Sequence, residues 1–196
     1  MNNTIYYTGI GSRETPEEIL GWMQDIGWLL GKRGYILRSG GANGADSAFE
    51  KGCDQANGEK DIYIPWKNFN KRGWGANTGI IPDLEAAKEI VMRTHPAPHR
   101  LSQGAMKLHS RNPYQILGDN LNTPSHFIIT YTPNGQLKGG TATALRLAQE
   151  NNIPIYNLGD PDAPSLSDFL VSIGLDEVTE EDYVTDFDYG LENHPL

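Results

Sequence analysis

Three short glycine-bearing stretches, residues 9–13, 39–46 and 139–143, each follow a strand-like run and open onto a helix-like one. A turn of this kind lets the main chain come close to an anion, and the helix behind it offers unpaired N–H groups and a positive dipole end. Three of them in one chain predict a phosphate-binding edge. Its members would be Gly11, Ser12 and Arg13 in the first turn, Ser39, Gly40, Gly41 and Ala42 in the second, and Gly139, Gly140, Thr141 and Thr143 in the third. Ser12 can donate a hydroxyl, and Arg13 can form a bidentate, charge-assisted pair with a phosphate. The plainer reading of Arg13 is a surface ion pair with Glu17.

Two groups of residues near these turns could add acid–base or recognition chemistry. Asp46 falls in the first turn of the second helix, and Glu50 lies one turn later on the same face. Asp46 can accept from a ribose hydroxyl or cap main-chain N–H groups, and both carboxylates are candidates for cleaving a sugar–base bond. His109, Arg111 and Asn112 could read a base edge or a second phosphate, with His109 the natural general acid near neutral pH. They could equally form a polar network under a strand. Gln115 and Asp119 continue that polar stripe.

Several chemistries are excluded. Residues 40–44 lack the Gly-Lys-Ser/Thr of a P-loop and the third glycine of a dinucleotide fingerprint. His95 and His99 stand four apart, but Pro96 and Pro98 prevent a regular helix between them and no Glu intervenes, so neither a metal nor a cofactor is expected. No nucleophile-elbow sequence is present. Trp66 and Trp74 flank a glycine- and asparagine-rich stretch and could stack a base or pack that stretch onto the body.

The elements that would position these residues alternate. Strands are expected at 5–10, 35–39, 61–66, 127–131 and 153–158. Helices are expected at 16–33, about 45–56, from 82 to before Pro96, 101–120 with an interruption at Pro113, 139–151 and 166–173. Thr15, Pro16 and Glu18 read as a capping box on the first helix, and residues 67–81 as a long loop. Strand–helix alternation predicts right-handed βαβ units around a parallel sheet. The fold class is therefore α/β, a single-domain Rossmann-like three-layer sandwich with a mostly parallel sheet over residues 1–175. An acidic C-terminal extension would follow at 176–196.

The 196 residues suffice for one well-cored domain. Charge is unevenly placed within a net −9. Residues 1–146 hold all 16 Lys and Arg against 13 acids, a balance of +3, while residues 147–196 hold 12 acids and neither base. A mildly basic body suits a phosphorylated small ligand, and the acidic end opposes a long polyanion. One cysteine, Cys53, excludes an internal disulfide. With no secretory leader or membrane span expected, a cytoplasmic location follows, that of a bacterium or a phage-infected host.

The run Arg38-Ser39-Gly40-Gly41-Ala42-Asn43-Gly44-Ala45-Asp46 resembles the "SGGAxGAD" turn of the SLOG superfamily, which joins the DNA-processing protein DprA to the LOG phosphoribohydrolases. Residues 9–13 look like its first glycine turn, and Gly139-Gly140-Thr141-Ala142-Thr143-Ala144 like its phosphate-side turn. The resemblance covers about residues 4–158. Within it, His109-Ser110-Arg111-Asn112-Pro113-Tyr114-Gln115-Ile116-Leu117-Gly118 is similar to an "HxRNxxQxLG" segment of phage-type DprA-like proteins.

The resemblance implies a Rossmann-like fold that binds nucleotides, nucleotide-derived signals or single-stranded DNA. In LOG enzymes a glutamate of the Gly-Gly-x-Gly-Thr-x-x-Glu motif helps cleave the base–ribose bond. Arg146 occupies that position here, and Ala142-Thr143 replaces the second Gly-Thr. The expected partner is a nucleotide-like small molecule, bound with or without hydrolysis of an N-glycosidic bond. Single-stranded DNA ranks below it, no membrane is expected, and a homodimer is compatible with the superfamily.

Overall fold

A computed structural model describes residues 4–72, 78–137 and 139–183. Its centre is one six-stranded sheet in the order β4-β3-β2-β1-β5-β6, with every neighbouring pair parallel. The strands are β1 (Tyr6–Gly11), β2 (Ile36–Ser39), β3 (Lys60–Ile64), β4 (Thr78–Ile80), β5 (Phe127–Tyr131) and β6 (Ile155–Asn157). The helices are α1 (Glu17–Lys32), α2 (Ala45–Gln55), α3 (Leu84–Thr94), α4 (Gln103–Ser110), α5 (Asn112–Leu117), α6 (Gly139–Glu150) and α7 (Leu166–Ser172).

The single-domain α/β sandwich expected from the alternation is what forms. Odd and even residues of β1 serve different layers. Tyr7 joins α1, α2 and α7 in a core that includes Met23, Ile26, Leu30, Phe49, Phe127 and Phe169. Ile10 joins the other layer with Ile116, Ile128, Leu145 and Ala148 of α5, β5 and α6. On the first face the helices lie very close. A Cβ on Gly27 would stand 2.5 Å from the carbonyl oxygen of Phe49, so α1 and α2 touch main chain to main chain.

Three expectations are corrected. The stretch 67–81 is not all loop: Thr78–Ile80 pairs with β3 as a sixth strand at the sheet edge. The break expected at Pro113 in the 101–120 segment falls two residues earlier, at Arg111, and Pro113 sits in the first turn of α5, where its missing N–H costs nothing. The Thr15 capping box does not form. The Thr15 hydroxyl donates instead to the carbonyl of Ser12 at 2.9 Å, and α1 begins without a side-chain cap.

Strand order sets the site. From β1 the chain runs outward through β2 and β3 to β4, then returns to β5 on the other side of β1. Such a reversal leaves a crevice beyond the carboxyl ends of the two central strands. The opposite end of the sheet is closed differently. Arg33, just after α1, donates to the carbonyls of Asp176 and Glu177 and pairs with the Asp182 carboxylate. The first residues of the acidic segment are thus docked on the body, where Val178 packs against the core; residues 184–196 lie outside the described residues. No helix among the described residues is long and apolar enough to cross a membrane.

Candidate functional site

A cavity of about 350 Å³ occupies the crevice between the ends of β1 and β5, within the range of small-molecule sites. Its wall is built from four pieces. The β1 turn supplies Gly11, Ser12, Arg13 and Glu14. The start of α2 supplies Ala42 and Asp46. The α4–α5 segment supplies Ala105, Leu108, His109, Arg111, Asn112 and Gln115, and α6 supplies Gly139, Gly140 and Thr141. Most of the residues expected from the sequence therefore meet in one place.

The first and second turns are locked together. Gly44, at φ +78°, leaves room for the Arg13 main chain, whose Cα a Cβ would meet at 2.7 Å, and the Ala45 N–H donates to the Ser12 carbonyl at 3.3 Å. The Ser12 hydroxyl accepts from the Glu14 N–H at 3.1 Å, which leaves its own proton free to donate. Arg13 is exposed and makes no ion pair among the described residues, so the alternative reading, a surface pair with Glu17, does not form.

The second turn is filled by the chain's own groups. Asp46, buried, accepts from the Ala42 N–H at 3.1 Å and faces Arg111 at 3.7 Å. Burial raises the Asp46 pKa above its ordinary value; Arg111 and the Ala42 N–H oppose the shift. Arg111 also donates to the Gly40 carbonyl at 2.5 Å and lies over the Phe69 ring at 5.3 Å. From the other side, Arg72 and Asn70 donate to the Gly41 carbonyl at 2.9 and 3.3 Å. Gly40 and Gly41 consequently do not line the cavity, and Ser39 spends its buried hydroxyl on the Gly9 carbonyl at 2.7 Å.

Glu50 is not in the cleft with Asp46. Arg72 and Lys60 hold its carboxylate on the outer side of α2, the latter at 3.0 Å. One helical turn proved enough to carry it past the cavity rim. Thr143 is buried and does not line the cavity.

The third turn is open. Gly139 has φ +70°, and an added Cβ at Gly139 or Gly140 would meet nothing within 4 Å among the described residues. The first turn of α6 holds no acidic residue. The opening N–H groups of a helix have no partner within it, so α6 offers the cavity donors and a positive dipole end. Asn112 reaches across to the Gly140 carbonyl at 3.4 Å, a weak tie between α5 and this turn.

His109 forms the remaining wall with Ala105 and Leu108. Its ring meets His95 edge-on at 4.8 Å. Burial, with His95 and Arg111 nearby, lowers its pKa to about 4. A general acid would need the protonated imidazole, which this environment disfavours. Trp66 packs edge-on against Phe69 at 5.2 Å and does not face the cavity; Trp74 lies outside the described residues.

Sequence reasoning gave little weight to Gln115 and missed the apolar wall. Gln115 is 2% exposed, lines the cavity, and its amide nitrogen has no partner among the described residues. A buried polar residue in a segment already rich in polar side chains was the available signal.

No protein-family model and no curated protein sequence matches the chain. Solved structures do match. The molybdenum cofactor carrier protein of Chlamydomonas reinhardtii superposes with a TM-score of 0.52 at 16% identity, over 88% of this chain and 85% of that one. DNA processing protein A of Helicobacter pylori gives 0.51 at 18% identity, over 90% of this chain and 75% of that one. DNA processing protein A of Streptococcus pneumoniae gives 0.51 at 16% identity, over 95% of this chain and 62% of that one. The chain shares their fold. It is the Rossmann-like architecture that the SLOG resemblance implied, and at these identities the likeness carries architecture alone.

Proposed function

We propose that the chain binds a phosphorylated, nucleotide-like small molecule in the β1–β5 crevice and retains it without cleaving it. The observation that carries this reading is the open N-terminus of α6, free of acid and facing a cavity that Arg13 also lines with no ion pair of its own. A phosphate on the Gly140 and Thr141 N–H groups would complete Arg13 and the Ser12 hydroxyl at once.

The groups needed for hydrolysis are committed elsewhere. Asp46 is held by Ala42 and Arg111, Glu50 by Lys60 and Arg72, and His109 is uncharged. Arg146 stands where the LOG resemblance would place a glutamate. Among the structural neighbours, one is named for carrying a small molecule, which fits retention. Another is described by its single-stranded DNA binding mode.

Ultrafiltration of stoichiometric protein against a mixed panel of nucleoside mono-, di- and triphosphates, cyclic nucleotides and NAD derivatives tests this. The expected result is depletion of one compound, recovered unchanged on denaturation, and at least tenfold weaker retention by Arg13→Ala. Release of free base and ribose 5-phosphate would replace retention with phosphoribohydrolysis. No depletion, together with oligodeoxythymidine binding that falls steeply with salt, would move the site to single-stranded DNA.

A further inference from the structure

The cleft has two ends, and the phosphate reading uses only one of them. At the α6 end the open turn lies beside Asn112. At the β2 end lies Gln115, with Gly40 behind it. There the main chain is fixed with unusual care. The Gln115 carbonyl accepts from the Thr8 hydroxyl at 2.6 Å and from the Ser125 hydroxyl at 3.4 Å, tying α5 to β1 at this one residue. Gly40 makes the room for the side chain, since a Cβ there would overlap the Gln115 amide nitrogen. Yet that nitrogen, in a residue 98% removed from solvent, donates to nothing among the described residues.

A buried amide donor left unpaired is unfavourable, and native structures rarely keep one without a reason. Gln115 lines the cavity, on a helix pinned in place, with the apolar side chains of Ala105 and Leu108 and the His109 ring lining the same space, while its amide nitrogen lies against Gly40. An apolar wall beside a carboxamide suits a flat ring that stacks on one and hydrogen-bonds the other.

Resting on the phosphate reading of the opposite end, we propose that Gln115 selects the ligand by hydrogen-bonding a planar heteroaromatic ring that carries an acceptor and a donor side by side on its edge. A carboxamide offers the complementary pair, one N–H donor and one carbonyl acceptor. The nitrogen lies against Gly40, and a half-turn of the terminal amide would carry it to the cavity side, where the ring supplies its acceptor. Gln115 is in this view a specificity residue; the phosphate supplies affinity common to all candidates.

Calorimetric titration with ribose 5-phosphate and with AMP, GMP, CMP and UMP separates the two ends. The wild-type chain should bind at least one nucleotide about tenfold tighter than ribose 5-phosphate, the worth of one good hydrogen bond with its stacking. In Gln115→Met that increment should vanish while ribose 5-phosphate affinity stays within twofold. Thermal melting should show no loss of stability, because the substitution removes an unpaired polar group and keeps the volume. Should Gln115→Met fail to fold, Gln115→Leu reads the same increment, since its uncharged side chain offers neither donor nor acceptor. An increment that survives in either variant overturns the proposal, as does equal loss of ribose 5-phosphate and nucleotide. A wild-type chain that binds nucleotides no better than ribose 5-phosphate also overturns it but leaves the phosphate end standing. A chain that binds neither overturns the phosphate reading itself.

Discussion

The β2–α2 and β5–α6 turns are both glycine-rich, both follow a central strand, and both open a helix toward the same crevice. The first is full. Asp46 occupies the anion position at the head of α2, Arg111 and Arg72 take the glycine carbonyls, and Gln115 sits where a Cβ at Gly40 would go. Among the described residues the second is open: only Asn112 reaches it, with no acid in its first turn and nothing within 4 Å of a Cβ at Gly139 or Gly140. Glycine does two different jobs here. At Gly40 it admits other parts of the same molecule, and at Gly140 it leaves the space above the turn open.

The sharpest way to break this contrast is to make the open turn resemble the filled one. Gly140→Asp places a carboxylate at the head of α6, as Asp46 stands at the head of α2. Nucleotide retention should fall by more than about 100-fold through like-charge repulsion, while the melting temperature holds or rises, since acid at a helix N-terminus is favourable. Isothermal titration and a thermal melt read both. Unchanged retention would remove the anion site from α6.

The same pair of glycines can be compared by stability alone. Gly40→Ala forces Gln115 and Arg111 out of the way and should cost about 1–3 kcal/mol. Gly140→Ala, in open space within a helix, should add about 0.5–1 kcal/mol. Opposite signs in urea unfolding would sharpen the comparison, and equal signs would dissolve it.

Arg72→Met probes what fills the β2–α2 turn from outside. Losing the bond to the Gly41 carbonyl and the pair with Glu50 should lower stability by about 1–2 kcal/mol, with ligand affinity within about threefold because the open turn is untouched. Chemical denaturation and titration separate the two effects.

The last effect belongs to His109, on the wall that joins the two turns, and is confined to acid pH. Its folded pKa of about 4 lies below the ordinary 6.5. The unfolded chain therefore takes up a proton that the folded chain refuses, so stability is lost as pH falls from about 6.5 to about 4. His109→Asn should flatten that limb of the stability–pH curve, measured by unfolding at a series of pH values. A limb of unchanged slope would place the titrating group elsewhere.

Much of this architecture is written in local pattern. Apolar runs marked five of the six strands, and the parallel order followed from their alternation with helices. β4 escaped because three residues, one of them glycine, carry too little period; its pairing with β3 is what makes it a strand. Pro113 was visible, but whether it kinks a helix or starts a new one depends on where the chain turns. The site was legible as a set of turns and not as a division of labour among them. Asp46 announces a cap as readily as a catalyst. That Arg72 and Asn70 close on Gly41 from about thirty residues away depends on the left-handed turn at Asn70 and Lys71, which no spacing rule reveals. Gln115 was hidden for the same reason, since its importance lies in a bond it does not make.

The clasp of Arg33 on residues 176–182 has an electrostatic consequence. It fastens Asp176, Glu177 and Asp182 at the amino-terminal edge of the sheet, while the crevice lies at the carboxyl edge. Strands of four to six residues set these edges roughly 13–20 Å apart. At physiological ionic strength the screening length is about 8 Å, and at 0.01 M it is about 30 Å. At physiological ionic strength the three acidic residues held by the clasp therefore weigh little on the crevice. In dilute buffer they weigh more. Added salt should first relieve that long-range repulsion before it weakens the contact with Arg13, so anion affinity should pass through a maximum as ionic strength rises.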